Sequence, residues 1–378
     1  MKSVVLIAAL LMAVSYGIRA QAFDPSTPDG AALAAIQKES DPTKKQEMLQ
    51  DFVQKFPDSK NAGWAWAQLQ TAYLQSQQYD KALEAGQKSL AIDPDEVEVA
   101  YNNLKAAEGR NDPDAVIKWS AETSKLARKQ AASPKPGQGQ EQVDYAKQVD
   151  TYTEYSIFAT ALKTTDPAKI VALVESLEQR NPNSSYLDKS YGRYLAALQQ
   201  QGQGDKAKTA AESELQRDPS NEDTLAFLAD YEQQHKDWDK SLSYSTKLAD
   251  LMQSKQKPEE IADADWQKKK QRLIAFALWI EGLSYNAKGQ FAQSDKALRQ
   301  GLPLIKGDDQ YQPRVLFQLG FADFQLGKAT KNRAMMQDAL KFSQQSAAIK
   351  SPDQINAQNN AKAISAALGT TRRAAAAK

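Results

Sequence analysis

The sequence predicts an all-α protein, an array of amphipathic helix pairs stacked side by side. Three observations lead there. The chain is 41% hydrophobic and 25% charged and is rich in Ala, Gln, Leu, Lys and Glu, which favour helix, and no stretch reads as a strand. Apolar residues recur at helical spacing in paired segments joined by short polar turns. The same stop signal returns at a fixed interval, since Pro57 to Pro94 and Pro182 to Pro219 are each 37 residues apart.

Residues 63–94 hold the clearest unit. Trp66, Leu69, Tyr73, Tyr79, Ala82 and Pro94 are spaced as two helices around a tight turn, and Asp93-Pro94 ends the second because the residue before proline disfavours the helical region. This spacing resembles a tetratricopeptide repeat, with Gln70 and Gly86 departing where a small and a bulky apolar residue are usual. The resemblance implies a right-handed superhelical solenoid of about seven helix pairs with a C-terminal capping helix, because one such unit cannot bury its apolar face alone. It also implies a scaffold that binds other proteins.

In chain order, residues 1–22 read as a signal peptide. Lys2 precedes an apolar run over 4–17, shorter than the roughly 20 residues that span a bilayer, and Ala20-Gln21-Ala22 predicts cleavage after Ala22. The expected location is periplasmic or secreted, of an exported bacterial type. The chain has no cysteine, which excludes lipid attachment behind the leader. Residues 23–368 form the expected solenoid. Two short helices, 31–38 and 44–55, make a divergent first unit; 97–108 and 114–128 pair across a turn, 109–113, that is out of length for the motif.

Residues 131–142, with two prolines and two glycines, read as a surface loop. Helices resume over 143–163 and 168–180. The signature returns over 186–219, 221–251, 275–305 and 313–350, the fourth of these with a turn at Gly327 and about seven extra residues before Ala339. There Asp323 takes the place of the expected aromatic and Phe324 falls one position late. Residues 355–368 read as the capping helix and 369–378 as a disordered tail.

Little in the sequence speaks for catalysis. The one histidine, His235, lies in a predicted turn, and no zinc or calcium spacing occurs, so neither metal nor cofactor is expected. Formal net charge is +1, or −1 once the leader's Lys2 and Arg19 are removed, and neither balance suggests a nucleic-acid partner. No segment beyond the leader predicts stable membrane insertion.

The tetratricopeptide resemblance places the first helix of each pair along a concave groove. Lys189 and Arg193, four apart on one such helix, resemble the basic half of a carboxylate clamp, without the other half. The stronger candidates are apolar. Phe276, Trp279 and Leu283 share one face at i, i+3 and i+7, and Phe317, Phe321 and Phe324 share another at i, i+4 and i+7, both distinct from the signature stripes. Trp64, Tyr101 and Asn102 extend the set toward the N-terminus. These faces either contact the long helix, the insert and the cap, or line a peptide-binding groove. The expected function is therefore protein-protein interaction, holding a partner peptide or helix; the alternatives are a chaperone-like envelope-assembly factor and a helical accessory domain of an enzyme.

Overall fold

Prolines that separate helices in the sequence reading begin them in the structure. In the computed structural model, Thr27, Asp41, Asp112 and Asp166 cap helices whose first turn opens on Pro28, Pro42, Pro113 and Pro167. Each cap side chain accepts a backbone N–H that the helix start leaves free, and proline has no N–H to strand there. The structure describes residues 23–134, 139–259 and 261–376, with side chains as far as Gly369. The expected leader and residues 135–138 of the expected loop lie outside the described residues.

Two compact units divide the chain, one ending at Gly202 and one beginning at Gln203. The first contains α1 (Pro28–Lys38), α2 (Pro42–Lys55), α3 (Ala62–Gln75), α4 (Tyr79–Ile92), α5 (Val97–Gly109), α6 (Pro113–Ala132), α7 (Gln140–Lys163), α8 (Pro167–Arg180) and α9 (Ser185–Gln200). The second contains α10 (Gly204–Arg217), α11 (Glu222–Gln234), α12 (Trp238–Ser254), α13 (Asp263–Ala287), α14 (Phe291–Gly301), a 3-10 turn (Leu302–Ile305), α15 (Gln312–Ala329), α16 (Arg333–Ala347) and α17 (Gln354–Ala376). Among the described residues there is no strand. Within each unit a helix packs against its sequence neighbours, and alternate helices such as α3 and α5, or α13 and α15, also touch. That is the contact pattern of stacked hairpins.

Five of the hairpins share one turn. The second of its three linking residues is left-handed at Gln77 (φ 56°), Asn111 (φ 53°), Lys236 (φ 64°), Gly289 (φ 71°) and Lys331 (φ 54°). The turn between α5 and α6 is thus Arg110 to Asp112 and in register with the others, where the sequence reading made it too long. Other differences lie at helix ends: α6 runs to Ala132 and α7 starts at Gln140, inside the expected loop, and α17 runs on to Ala376 through most of the expected tail. Alanine is the best helix former, and three of the last residues of α17 are alanine.

The seven extra residues near the end make no loop. Leu319 stands eleven residues before the turn at Thr330, against seven for Leu69 before Ser76, and Ala339 stands seven after Asn332, against four for Ala82 after Gln78. Each arm of the hairpin is longer by about one turn, and since two turns are about seven residues the apolar stripes stay in phase. Gly327, expected at a turn, lies inside α15, where an added Cβ would stand 2.8 Å from the Met336 side chain.

Signature positions bury as the pattern requires, Leu69, Ala82, Ala229 and Leu298 completely. Polar contacts repeat with them. Ser241 donates to Ala229 O and Ser294 to Gly282 O, both at 2.9 Å and both across twelve residues. Ser89 donates to Gly63 O at 2.9 Å and Ser346 to Pro313 O at 2.7 Å, each tying the second helix back to the start of the first.

Asp323 fills its aromatic position by a different device. It is fully buried, and Arg299 bridges it to Asp295, donating to Asp323 Oδ2 at 2.6 Å and to Asp295 Oδ1 at 2.5 Å. Burial, then the neighbouring Asp295, push the Asp323 carboxyl up to about 8, against the pull of Arg299. The folded protein therefore keeps a proton that the unfolded chain releases near the ordinary value of 3.8, so this contribution to stability is complete below that value and is lost as pH rises to about 8. Asp323→Asn should flatten the fall of Tm with pH relative to the parent and melt higher above pH 8. Parallel melting curves for the two proteins across that range would contradict it.

Candidate functional site

The candidate residues of the second unit stand on α13 and α15. Phe276, Trp279, Leu283, Phe317 and Phe321 are all half-buried, so each leaves part of its side chain on the surface. Phe276 meets Trp279 edge-on at 5.9 Å, and Tyr311, just before α15, lies 5.7 Å from Trp279 and 6.4 Å from Phe276. Tyr311 has no helical period around it, which is why the sequence reading passed over it. The inner edges of Phe276 and Trp279 flank separate core clusters, one around Trp266 and Met252, the other around Leu298 and Leu319. Phe321 meets Phe291 at 5.9 Å.

Phe324 belongs elsewhere. It is buried with Met336, Ala339, Ile364 and Leu368, in the core between the last hairpin and α17. α17 docks on the face of α15 that carries it, which takes it out of the surface stripe it was assigned to.

Two donors on this surface lack acceptors. Trp279 Nε1 and Arg314 Nε are both buried and make no hydrogen bond. The Arg314 guanidinium lies over the Trp279 ring at 5.6 Å, and Arg272 lies over Tyr311 at 5.6 Å. A buried donor without a partner costs on the order of 1–3 kcal/mol.

The first unit carries a different surface. On α5, Glu98, Tyr101, Lys105 and Glu108 form one stripe at i, i+3, i+7 and i+10, and on α7 Tyr145, Tyr152 and Tyr155 follow the same spacing. Rings continue from Tyr101 to Tyr152 (5.3 Å), Tyr155 (5.8 Å) and Tyr186 (5.9 Å), with Phe158 stacked on Tyr186 at 5.4 Å. Burial pushes the Glu108 carboxyl up, while the Tyr152 hydroxyl, donating to both its oxygens at 2.9 and 3.1 Å, and Lys105 pull it back. Trp64 stands apart with its N–H unpartnered and Phe23 edge-on at 5.1 Å.

The clamp-like pair stands on α9. Arg193 donates through Nη2 to the carbonyl of Thr164 at 2.6 Å, fastening α9 to the end of α7, and Lys189 is exposed one turn away. His235 ends α11, stacked on Tyr231 at 4.0 Å. Among the described residues no group of His, Cys, Asp and Glu is placed to hold a metal ion, and no helix is long and apolar enough to cross a membrane.

Close approach of the paired helices settles the type of repeat. An added Cβ at Gly282 would stand 2.4 Å from Leu298, and one at Gly320 2.3 Å from Ser343 Oγ, so a small residue is needed where the tetratricopeptide signature has one. The fold is a tetratricopeptide-type array. No protein-family model matches the sequence, and no curated protein matches it. Solved structures do. The chain is similar at 12% identity to one described as the APC/C hetero-tetramer Cut9-Hcn1, over 90% of this chain and 56% of that one, with a TM-score of 0.36. It is similar at 12% identity to the P58(IPK) TPR domain, over 91% and 99%, with a TM-score of 0.31, and at 8% identity to a tetratricopeptide repeat protein from Parabacteroides merdae, over 88% and 96%, with a TM-score of 0.26. The chain thus spans little more than half of the first of these.

Proposed function

We propose that the protein is an exported, non-catalytic scaffold that holds a peptide or helix of another protein against the first-helix surface of its second unit, with Trp279 as the central anchor. The observation that carries this reading is the pair of buried, unpartnered donors, Trp279 Nε1 and Arg314 Nε, set among the half-exposed rings of Phe276 and Tyr311. A partner segment offering an apolar side chain beside a carbonyl or carboxylate oxygen satisfies both needs at once, and such anchors concentrate binding energy in a few central residues. The leader-like start of the sequence supports a location outside the cytoplasm.

The test is capture from an envelope extract followed by affinity measurement on each captured protein. Trp279→Phe keeps a ring against the core and deletes the N–H together with part of the indole. It should weaken a true partner about tenfold, equivalent to roughly 1.4 kcal/mol, with little change in Tm. Capture of the same proteins with unchanged affinity by Trp279→Phe and by Arg314→Gln would remove the reading.

A further inference from the structure

Arg314, Trp279, Tyr311 and Arg272 form a chain of contacts across α13 and the start of α15 in the second unit. The Arg314 guanidinium lies over the Trp279 ring at 5.6 Å, the Trp279 and Tyr311 rings meet at 5.7 Å, and the Arg272 guanidinium lies over the Tyr311 ring at 5.6 Å. An arginine thus stands at each end of a pair of rings. Arg272 is exposed and Arg314 half-buried, and among the described residues neither forms an ion pair. Arg272 makes one hydrogen bond, from Nη2 to Gln310 Oε1 at 3.3 Å, and Arg314 makes none. The acids nearby are engaged elsewhere or set back. Asp308 accepts the backbone N–H groups of Gln310 and Tyr311 at 2.9 and 3.1 Å, and Asp230 accepts from Gln234 Nε2 at 2.6 Å. Asp230 and Asp353 feel the charge of Arg314, yet neither is hydrogen-bonded to it.

We propose that this surface selects an acidic segment of the partner protein, one that lays an apolar side chain on the Trp279 and Tyr311 rings between two carboxylates, one for Arg272 and one for Arg314. The proposal rests on the reading of this surface as the docking site and adds the chemistry of what docks. A guanidinium over a ring turns its face to the ring quadrupole. Its N–H donors lie in its own plane and stay open to an acceptor, in a fork that matches a carboxylate. The contact with the ring also holds each guanidinium in place, so less freedom is lost when the acid arrives. Charge then decides the partner. A neutral side chain can take the hydrogen bonds of either arginine, but two unpaired cations flanking apolar rings favour an acid at both positions and repel a lysine at either. Arg272 and Trp279 are seven residues apart on α13, or about 10 Å along its axis. Extended chain covers that length in about three residues, which sets the spacing of the two acids.

Capped Glu-Leu-Leu-Glu and its counterparts Gln-Leu-Leu-Gln and Lys-Leu-Leu-Lys are titrated into the full chain at low ionic strength, where exposed charges are least screened. The glutamate peptide should bind about tenfold more tightly than the glutamine peptide, and the lysine peptide should not bind. Arg272→Gln and Arg314→Gln should each remove part of that preference and the double variant all of it. Lys296→Gln, at an exposed lysine on α14, should change nothing. Arg272 is exposed, so its variant decides the matter even where Arg314→Gln alters folding, which Tm reports. Equal binding of the glutamate and glutamine peptides, both weakened by Trp279→Phe, leaves the docking surface in place and overturns its selectivity for acid. A preference for glutamate that survives both arginine substitutions, or no binding of any of the three peptides, also overturns the proposal; the docking reading then stands or falls on capture from the envelope extract.

Discussion

Gly86→Leu, which installs the kind of residue usual at that repeat position, is expected to be among the most damaging single changes in the first unit. Gln70 is completely buried and donates through Nε2 to Val99 O and to Asn103 Oδ1, both at 3.0 Å. An added Cβ at Gly86 would stand 2.2 Å from both Gln70 Nε2 and Asn103 Oδ1. A leucine must displace both amides, overpacking the site at about 1–3 kcal/mol and stranding buried polar groups at about 1–3 kcal/mol more. The combined loss is about 3–5 kcal/mol, or on the order of 10 °C in Tm for a unit of this size. Adding Gln70→Ala and Asn103→Leu to Gly86→Leu should recover most of it, because the three positions fill one space. A triple variant no more stable than the single change would show that the three departures are unrelated. Thermal melts of the single, double and triple variants decide the matter as a mutant cycle.

Phe324→Ala should cost about 3–5 kcal/mol, the usual loss for truncating a buried aromatic. Its ring joins Met336, Ile364 and Leu368, so the loss falls first on the contact between α17 and the last hairpin. Hydrogen exchange should accelerate in α17 and in the ends of α15 and α16 nearest their turn, and removal of residues 355–368 should produce the same pattern. Phe321→Ala is the control. Its half-buried ring meets Phe291 edge-on and should cost about 1 kcal/mol. Equal losses for the two substitutions, or uniform exchange along the second unit, would contradict this placement of Phe324.

The hairpin array was legible because its cause is periodic. Leu69, Tyr73 and Ala82 announce two apolar faces and a turn by spacing alone, and burial follows. What the sequence concealed were compensations between distant positions. Gln70 and Gly86 look like two separate departures, and only the 2.2 Å approach shows that the glycine makes room for the glutamine. Phe324 fits the spacing of a surface stripe as well as that of a core, and the choice depends on where α17 docks. Arg193 reads as a groove cation, yet its partner, the Thr164 carbonyl, is a backbone group that carries no sequence signature. The tyrosine and carboxylate stripe of α5 and α7 obeys plain seven-residue spacing and was open to discovery, but it is polar, and a search for apolar faces passes over it.

The lengthened hairpin of α15 and α16 makes its closing contact through its ordinary part. Phe324 lies five residues after Leu319, where α3 has Leu74, and Met336 three before Ala339, where α4 has Tyr79. Both bury against Ile364 and Leu368 of α17. The extra turns nearer the hairpin contribute no side chain to that cluster, so the added length and the docking of the last helix are separate features of the same pair.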